Sequence, residues 1–269
     1  LSSLIQGCLD NGKDATWGGA KYNSSGTAMI GLADVTDSLI AVKKLVYEEK
    51  RVDFTTLLDA LKKDFEGHDA LHARLINKVP KFGSGDPQTN EMAQHIIDFL
   101  YDLYQGFPQY RGGKYTTGFW SMSNHVAFGV LSGALPSGRH KNKPFTPGIT
   151  PEAGVKDSLL QNIRTVASLD TLKMPNNIAF NVKVVPDPKD TPQQALDTMT
   201  AYARTYLDSG GMQMQFNVIS TDTLRDAMEN PENHRNLMVR ISGYNAYFVE
   251  LNRDLQMEII ERTEHALQK

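Results

Sequence analysis

The stretch that decides the fold of this chain is Leu237-Met-Val-Arg-Ile-Ser-Gly-Tyr-Asn-Ala-Tyr-Phe248. A short apolar run leads into Ser242-Gly243-Tyr244, and a second apolar and aromatic run follows. Core-like residues on both sides of Gly243 predict a buried turn, although most loops lie on the surface. Gly243 then has either a steric role, in which it permits a positive φ or a close backbone approach, or a chemical role.

The chemical role depends on the α-carbon of Gly243. A glycine α-hydrogen is the easiest backbone hydrogen to remove as an atom, because the resulting radical lies between an amide nitrogen and a carbonyl. Without a Cβ, this carbon can become planar and share its spin with both neighbours. Such a radical survives only where water and oxygen are excluded. The bare motif leaves both roles open, since short motifs often match by chance.

A wider comparison favours the chemical role. The C-terminal region resembles the signature of the glycyl radical enzymes, the pyruvate formate-lyase and glycerol dehydratase superfamily, in Arg240-Ile-Ser-Gly-Tyr244, Phe248-Val-Glu-Leu251 and Gln256-Met-Glu-Ile-Ile-Glu-Arg-Thr-Glu264. Further phrases resemble this family in the family's order: Gly19-Ala-Lys-Tyr-Asn23, Ala33-Asp-Val-Thr-Asp-Ser-Leu39, Gly133-Ala-Leu-Pro-Ser-Gly-Arg139 and Gly210-Gly-Met-Gln-Met-Gln-Phe-Asn217. The resemblance covers essentially the whole chain and makes Gly243 the expected radical carrier.

The resemblance also implies an architecture. Helices alternate with buried-type strands along the chain, which is typical of parallel α/β packing. The family's fold is a ten-stranded α/β barrel with the glycyl radical loop at its centre, and this chain is expected to form the C-terminal part of that barrel. We therefore predict two domains: residues 1–147 as part of the pyruvate formate-lyase-like barrel domain, and residues 148–269 as the glycine radical domain.

The resemblance implies a radical mechanism with no bound cofactor. A radical S-adenosylmethionine activase installs the radical on Gly243, the radical oxidises a cysteine to a thiyl, and the thiyl takes a hydrogen atom from substrate. Cys8 is the only cysteine in the chain. It does not lie in the family's cysteine motif, in which a glutamate follows the cysteine, so we expect Cys8 to be structural and partly buried. The catalytic cysteine would then come from an N-terminal polypeptide or a missing N-terminal portion.

The expected reaction is elimination of water or a similar group from a small substrate, because the phrases resemble the dehydratase and lyase branch. An arylacetate decarboxylase, a fumarate-adding synthase and a formate acyltransferase remain alternatives within the family. A different class of function is a non-catalytic spare part that replaces a damaged glycyl radical domain. The length of the chain argues against it, since such a part needs only the final loop and helix.

Several other side chains are candidates for the site, each with a structural alternative. Three neighbours of Gly243 are expected to orient the loop: Arg240, Ser242 and Tyr244. The structural alternative is a salt bridge or ordinary packing. Four residues are possible pocket residues: Ile178, Phe180, Val182 and His125. Core packing is the alternative for the first three, and an ordinary loop histidine is the alternative for His125. Asn245 departs from the serine or alanine that many family members have at this position.

Composition restricts the remaining partners. The net charge of −3 argues against broad nucleic-acid or anionic-membrane binding, and no apolar stretch is long enough to span a membrane. One cysteine excludes an internal disulfide framework, so a cytoplasmic location is the expectation. The family resemblance implies an anaerobic enzyme that assembles as an oligomer. His68 and His72 are four residues apart, but no third ligand accompanies them, so we predict solvent-facing histidines and no metal.

Hydrophobic periodicity predicts the main elements. A helix over 34–47 is expected to bury Val35 and Leu39, with Asp34, Thr36 and Asp37 as candidate caps, and a helix over 90–105 to bury Met92, Ile96, Phe99, Leu100 and Leu103. Residues 107–151 are rich in glycine and proline with short apolar runs, and we expect them to form strands and loops. Helices are also expected over 157–167, from Thr191-Pro192 to Leu207, and at the C-terminus through Leu267, with strands over 177–185 and 212–219.

Overall fold

The structure, a computed structural model, describes residues 1–153 and 158–266. The helices are α1 (Cys8–Asn11), α2 (Leu32–Val42), α3 (Phe54–Lys62), α4 (Asp69–Asn77), α5 (Pro87–Gln105), α6 (Asn124–Val130), α7 (Leu159–Ala167), α8 (Pro192–Asp208), α9 (Thr221–Glu229) and α10 (Arg253–Glu261). The strands are β1 (Ser24–Met29), β2 (Lys114–Phe119), β3 (Phe180–Val185), β4 (Met214–Val218), β5 (Met238–Arg240), β6 (Asn245–Tyr247) and β7 (Glu264–Ala266).

The long strands are parallel, as the alternation of helices and strands predicted. β1 pairs with β2, and β3 pairs with β4 on one side and β7 on the other. The end of β2 meets the approach to β3 through a parallel bridge between Phe119 and Ile178, so β1, β2, β3 and β4 follow one another. The mixed α/β class with parallel sheets is therefore confirmed, and β5 and β6 form a separate antiparallel hairpin.

Three apolar clusters hold these elements together. The largest packs the apolar sides of β2 and β3 against α2, α5, α7 and α8. A second joins α2 to α3 and α4, and a third surrounds the β5–β6 hairpin with α6, α9 and α10. Because the largest cluster contains side chains from both 1–147 and 148–269, the predicted domain boundary lies across a shared core and stays a prediction.

Local signals located several elements well. Thr191 caps α8 with a complete capping box, in which its hydroxyl accepts from the Gln194 backbone and the Gln194 side chain accepts from the Thr191 backbone. Ser158 caps α7 with one side-chain hydrogen bond, which its hydroxyl accepts from the Gln161 N–H. None of the helices in the described ranges combines the length and the apolar character that a membrane crossing requires.

The buried face of α2 differs from the prediction. Val35 and Leu39 are 45% and 43% exposed. Asp34 and Asp37 lie within α2 instead of capping it, and both are buried in the protein. Asp34 accepts hydrogen bonds from the backbone and hydroxyl of Thr146, and Asp37 accepts one from the Phe82 backbone. These long-range backbone partners outweigh the local preference of aspartate for a cap.

Two further predictions about the middle of the chain are wrong in part. α5 forms as expected, but Phe99 and Leu103 on it are exposed, and its fully buried positions are Thr89, Ala93 and Ile97. The run from Val126 is helical, in α6, instead of strand and loop. A short apolar run fits either element by pattern alone. The absence of a side chain at Gly129 lets α6 approach the backbone of residues 143–145.

The C-terminal helix ends earlier than predicted. α10 stops at Glu261, and residues 264–266 form β7 beside β3. The predicted helix limits Asp157 and Leu267 lie outside the described residues. His68 and His72 are not simply solvent-facing, since His68 contacts Asp59 and His72 stacks on Phe65.

Candidate radical-loop site

The β5–β6 hairpin presents Gly243 at its turn. Arg240 pairs with Asn245, so residues 241–244 form the connection, and the Ile241 N–H donates to the Tyr244 carbonyl at 2.9 Å. Gly243 has φ +95°, a conformation that L-residues with a Cβ rarely adopt. A Cβ built on Gly243 would meet no atom within 4 Å, so the demand for glycine here comes from the backbone conformation and not from crowding.

The predicted burial of this turn is only partly correct. Ile241 and Ser242 are fully buried, but Gly243 itself is exposed on the surface of this chain. The two preceding side chains anchor the turn in the third apolar cluster and beside Ser121, while the glycine lies at the apex. Within this chain, therefore, the α-carbon of Gly243 is open to approach from outside.

Two polar side chains of β4 hold the hairpin. Asn217 forms a closed pair with the backbone of Arg240, accepting from its N–H and donating to its carbonyl, each at 2.7 Å. The Gln215 Oε1 accepts from the Gly243 N–H at 3.1 Å and from Arg240 Nε at 2.6 Å. Gln215 and Asn217 are two residues apart on a strand, so both point to the hairpin side of the sheet.

A buried polar network lies behind the turn. The Ser121 Oγ is 3.0 Å from His125 Nδ1 and 3.4 Å from the Ser242 Oγ. Ser121, His125 and Ser242 are each no more than 1% exposed. His125 therefore lies on α6 and contacts the serine that approaches the turn at Gly243.

The network continues into an ion pair on α10. Glu258 accepts two hydrogen bonds from Arg262, both at 2.8 Å, and lies 3.4 Å from His125 Nε2. Arg262 also donates to the Arg240 carbonyl at 3.2 Å. The guanidinium therefore links the carboxylate on α10 to the first strand of the hairpin.

Electrostatics keep this carboxylate ionised. Burial raises the pKa of Glu258, but the Arg262 charge and the His125 contact outweigh burial and bring its pKa down to about 2. At neutral pH, Glu258 and Arg262 are therefore a charged, buried and doubly hydrogen-bonded pair.

The predicted loop neighbours have distinct places. Arg240 bridges Gln215 and, at 3.2 Å, the Asn245 Oδ1, so the residue that departs from the family pattern is itself part of the hairpin's hydrogen bonding. Ser242 is the buried contact to Ser121. Tyr244 is partly buried against the third apolar cluster. All three thus contact other side chains around the turn, and their role in orienting it stays a prediction.

The predicted pocket residues separate into different environments. Ile178, Phe180 and Val182 belong to the largest apolar cluster. Phe180 and Val182 also border a cavity of about 250 Å³, whereas Ile178 and His125 do not line it. Their assignment to a substrate pocket stays a prediction.

That cavity is lined by groups of both charge signs. It lies between β3, the segment around Arg139 and Glu152, and the end of α10. Burial lowers the pKa of Lys183 to about 8, and its ammonium donates to Thr221 Oγ1 and the Ile260 carbonyl. Burial raises the pKa of Glu152 to about 7, against the effect of Lys81.

Cys8 and the histidines provide no second site. Cys8 is a buried free thiol at the start of α1, as expected of a structural cysteine, and it takes no part in the contacts that hold Gly243. Within residues 1–153 and 158–266, no group of three or more histidine, cysteine or acidic side chains is arranged to hold a metal ion.

Five residues that contact the turn, or that link to its contacts, were not predicted from the sequence. They are Ser121, Gln215, Asn217, Glu258 and Arg262. Two of them could have been predicted, because Gln215 and Asn217 alternate with apolar residues in a strand that resembles the family. Glu258 and Arg262 are four residues apart on a predicted helix, which is the spacing of an ion pair.

Comparisons with known proteins identify two family regions and several relatives. Residues 1–129 match the family model described as pyruvate formate lyase-like, and residues 145–249 match the glycine radical family model. The trans-4-hydroxy-L-proline dehydratase of Clostridioides difficile is 36% identical over 98% of this chain and 33% of that protein. The (2S)-3-sulfopropanediol dehydratase of Klebsiella oxytoca is 32% identical over 98% of this chain and 33% of that protein.

A solved structure gives the same result. The glycerol-bound B12-independent glycerol dehydratase from Clostridium butyricum superposes with a TM-score of 0.93 at 34% identity, over 98% of this chain and 34% of that one. The two family models and the structural match define a protein with the α/β barrel fold and a glycine radical region. The chain belongs to the glycyl radical enzyme family. It spans about a third of the length of these relatives.

Proposed function

We propose that this chain is the C-terminal, glycyl-radical-bearing part of an enzyme that eliminates water or a similar group from a small substrate. The observation that carries the proposal is the position of Gly243, at positive φ in a hairpin turn anchored to β4 and to a buried ion pair. The dehydratase activity of its relatives supports elimination over the decarboxylase, synthase and acyltransferase alternatives.

The proposed reaction proceeds by successive transfers of one hydrogen atom. A radical that the activase forms from S-adenosylmethionine takes one hydrogen atom from the α-carbon of Gly243. The glycyl radical then takes the hydrogen atom of a cysteine thiol, which restores the glycine and leaves a thiyl. The thiyl takes a hydrogen atom from a substrate carbon, the substrate radical loses water, and the product radical recovers the hydrogen atom from the thiol.

The exposed position of Gly243 supports a covering polypeptide. A glycyl radical needs protection from water and oxygen, and within this chain the turn apex is open. Large apolar side chains are also exposed, among them Leu131 at 85% and Trp17 at 74%. Exposed apolar surface is typical of an interface. We propose that an N-terminal polypeptide or a missing N-terminal portion, with the catalytic cysteine, covers both in an oligomeric, cytoplasmic enzyme.

Electron paramagnetic resonance tests the proposed function. Anaerobic activation of the assembled protein is expected to give an organic radical with a doublet signal, because one α-hydrogen remains on Gly243. Protein labelled with α-deuterated glycine should give a collapsed doublet, and the activated protein should consume a small hydroxylated substrate. A doublet that persists after deuteration would place the radical elsewhere, and a radical without substrate consumption would favour the spare-part alternative.

A second prediction concerns Cys8. Because Cys8 is buried and belongs to none of the contacts around Gly243, the substitution Cys8→Ser should leave turnover of the assembled enzyme unchanged. The isolated 269-residue chain should show no turnover. Steady-state rates of the two assembled proteins and of the isolated chain provide the test. A loss of activity in Cys8→Ser, with the radical signal retained, would contradict a catalytic cysteine outside these 269 residues.

A further inference from the structure

The orientation of the Gln215 amide is determined by its partners. Its Oε1 receives two N–H groups, from Gly243 and from Arg240 Nε. Both partners can only donate, so the amide oxygen must face the turn and the Nε2 must face away. The amide oxygen of Gln215 is thus the side-chain acceptor for the backbone N–H of Gly243.

This arrangement leaves an unsatisfied group. The Gln215 side chain is buried, and its Nε2 has no hydrogen-bond partner in the described parts of the chain. A buried donor without an acceptor destabilises a fold. The hairpin uses only the oxygen end of this amide, which accepts from the Gly243 N–H and from Arg240 Nε.

We propose that Gln215 is a positioning residue for the radical on Gly243. In the positional part of this proposal, the Gln215 oxygen holds the backbone N–H of Gly243 in place. In the electronic part, the same hydrogen bond makes the Gly243 nitrogen a better electron donor to the α-carbon. An N–H group that donates to a strong acceptor carries more electron density on its nitrogen. In a glycyl radical, that density stabilises the half-filled orbital of the neighbouring carbon. The electronic part of this inference rests on the proposed function, whereas the positional part does not.

The chain contains a matched control. Gln213 precedes Gln215 by two residues, and its Oε1 accepts from the Phe180 N–H at 3.3 Å instead of from the hairpin. A Gln213→Met variant therefore loses one amide at the same end of β4 without changing the hydrogen bond to Gly243. Methionine has about the length of glutamine but no strong acceptor, so Gln215→Met removes the proposed contact with little change in volume.

The positional part is tested without any radical. In protein labelled with 15N-glycine, the Gly243 amide signal is identified by its absence in Gly243→Ala, and its hydrogen-exchange rate is measured. We expect exchange to accelerate about fivefold in Gln215→Met, as for the loss of one hydrogen bond, and to stay unchanged in Gln213→Met. An unchanged rate in Gln215→Met would overturn the positioning of Gly243 by Gln215.

The electronic part is tested in the activated protein. Gln215→Met should lower the 15N hyperfine coupling of the radical and shorten its anaerobic half-life, whereas Gln215→Glu, whose carboxylate is at least as strong an acceptor, should keep the coupling at or above the wild-type value. A packing role would lower the amount of radical without changing the coupling, so an unchanged coupling in Gln215→Met overturns the electronic part. Wild-type protein with the expected exchange rates but no radical would refute the proposed function and leave the positional part supported.

Discussion

Gly243→Ala is expected to abolish the radical signal and all turnover while leaving the protein folded. Alanine cannot serve as the radical carrier in the same way, because its Cβ hinders the planar backbone arrangement that shares the spin. The Cβ would meet open space, so the structural penalty is limited to the positive φ, roughly 1–2 kcal/mol. Paramagnetic resonance of the anaerobically activated assembly and substrate consumption measure the two losses.

Exposure to air gives an independent readout of the same carbon. Oxygen should add to the α-carbon radical and cut the activated wild-type chain at Gly243, so that mass spectrometry finds a fragment ending near Ser242. Gly243→Ala should remain intact. Gly112→Ala is the matched control, because Gly112 also has positive φ, +82°, and open space at its Cβ. A cleaved Gly243→Ala, or an uncleaved wild type that carries the radical, would refute the assignment.

Arg262→Met is expected to produce the largest loss of stability, about 3–5 kcal/mol at pH 7, because it leaves the buried Glu258 carboxylate without its partner. The exposed pair of Arg235 with Glu232 provides a control, since Arg235→Met should change the free energy of unfolding by less than about 1 kcal/mol. Denaturant unfolding of each purified protein measures both. Equal, small effects of the two substitutions would contradict a structural role for the buried pair.

The pH dependence of this loss follows from the pKa of Glu258. The pKa in the folded protein is about 2, below the ordinary value of 4.5, so the pair contributes stability above pH 4.5 and loses it as the pH falls towards 2. The difference between wild type and Arg262→Met should therefore shrink over that range. The double variant Glu258→Met with Arg262→Met, which removes both charges, should recover much of the stability. A difference that stays constant with pH would exclude Glu258 as the cause.

Residue periodicity predicted the existence of most elements but not always the face that they bury. On α2, the apolar positions Val35 and Leu39 face outward, because Asp34 and Asp37 turn inward to accept hydrogen bonds from distant backbone groups. These partners, Thr146 and Phe82, are far from α2 in the sequence. A pattern within one helix contains no information about them.

The exposed residues of α5 show the same limit. Phe99 and Leu103 are apolar at helical spacing and were expected in the core, yet the described chain leaves them open. Amphipathic spacing indicates that a face is covered by something, but it does not say whether the cover belongs to the same chain. The exposed face of α5 is therefore consistent with the proposed covering polypeptide.

The sequence by itself determined the residues whose roles depend on local backbone chemistry. Gly243 is one, because the absence of a Cβ favours both a positive φ and the proposed carbon radical. The cap of α8 at Thr191 is another, since its partners lie within one helical turn. The tertiary structure decided the support of the radical loop, in which Ser121, Gln215 and Arg262 converge from a loop, a strand and a helix end. Those contacts join residues from 22 to 121 positions apart, and only the folded chain brings their atoms within hydrogen-bond distance.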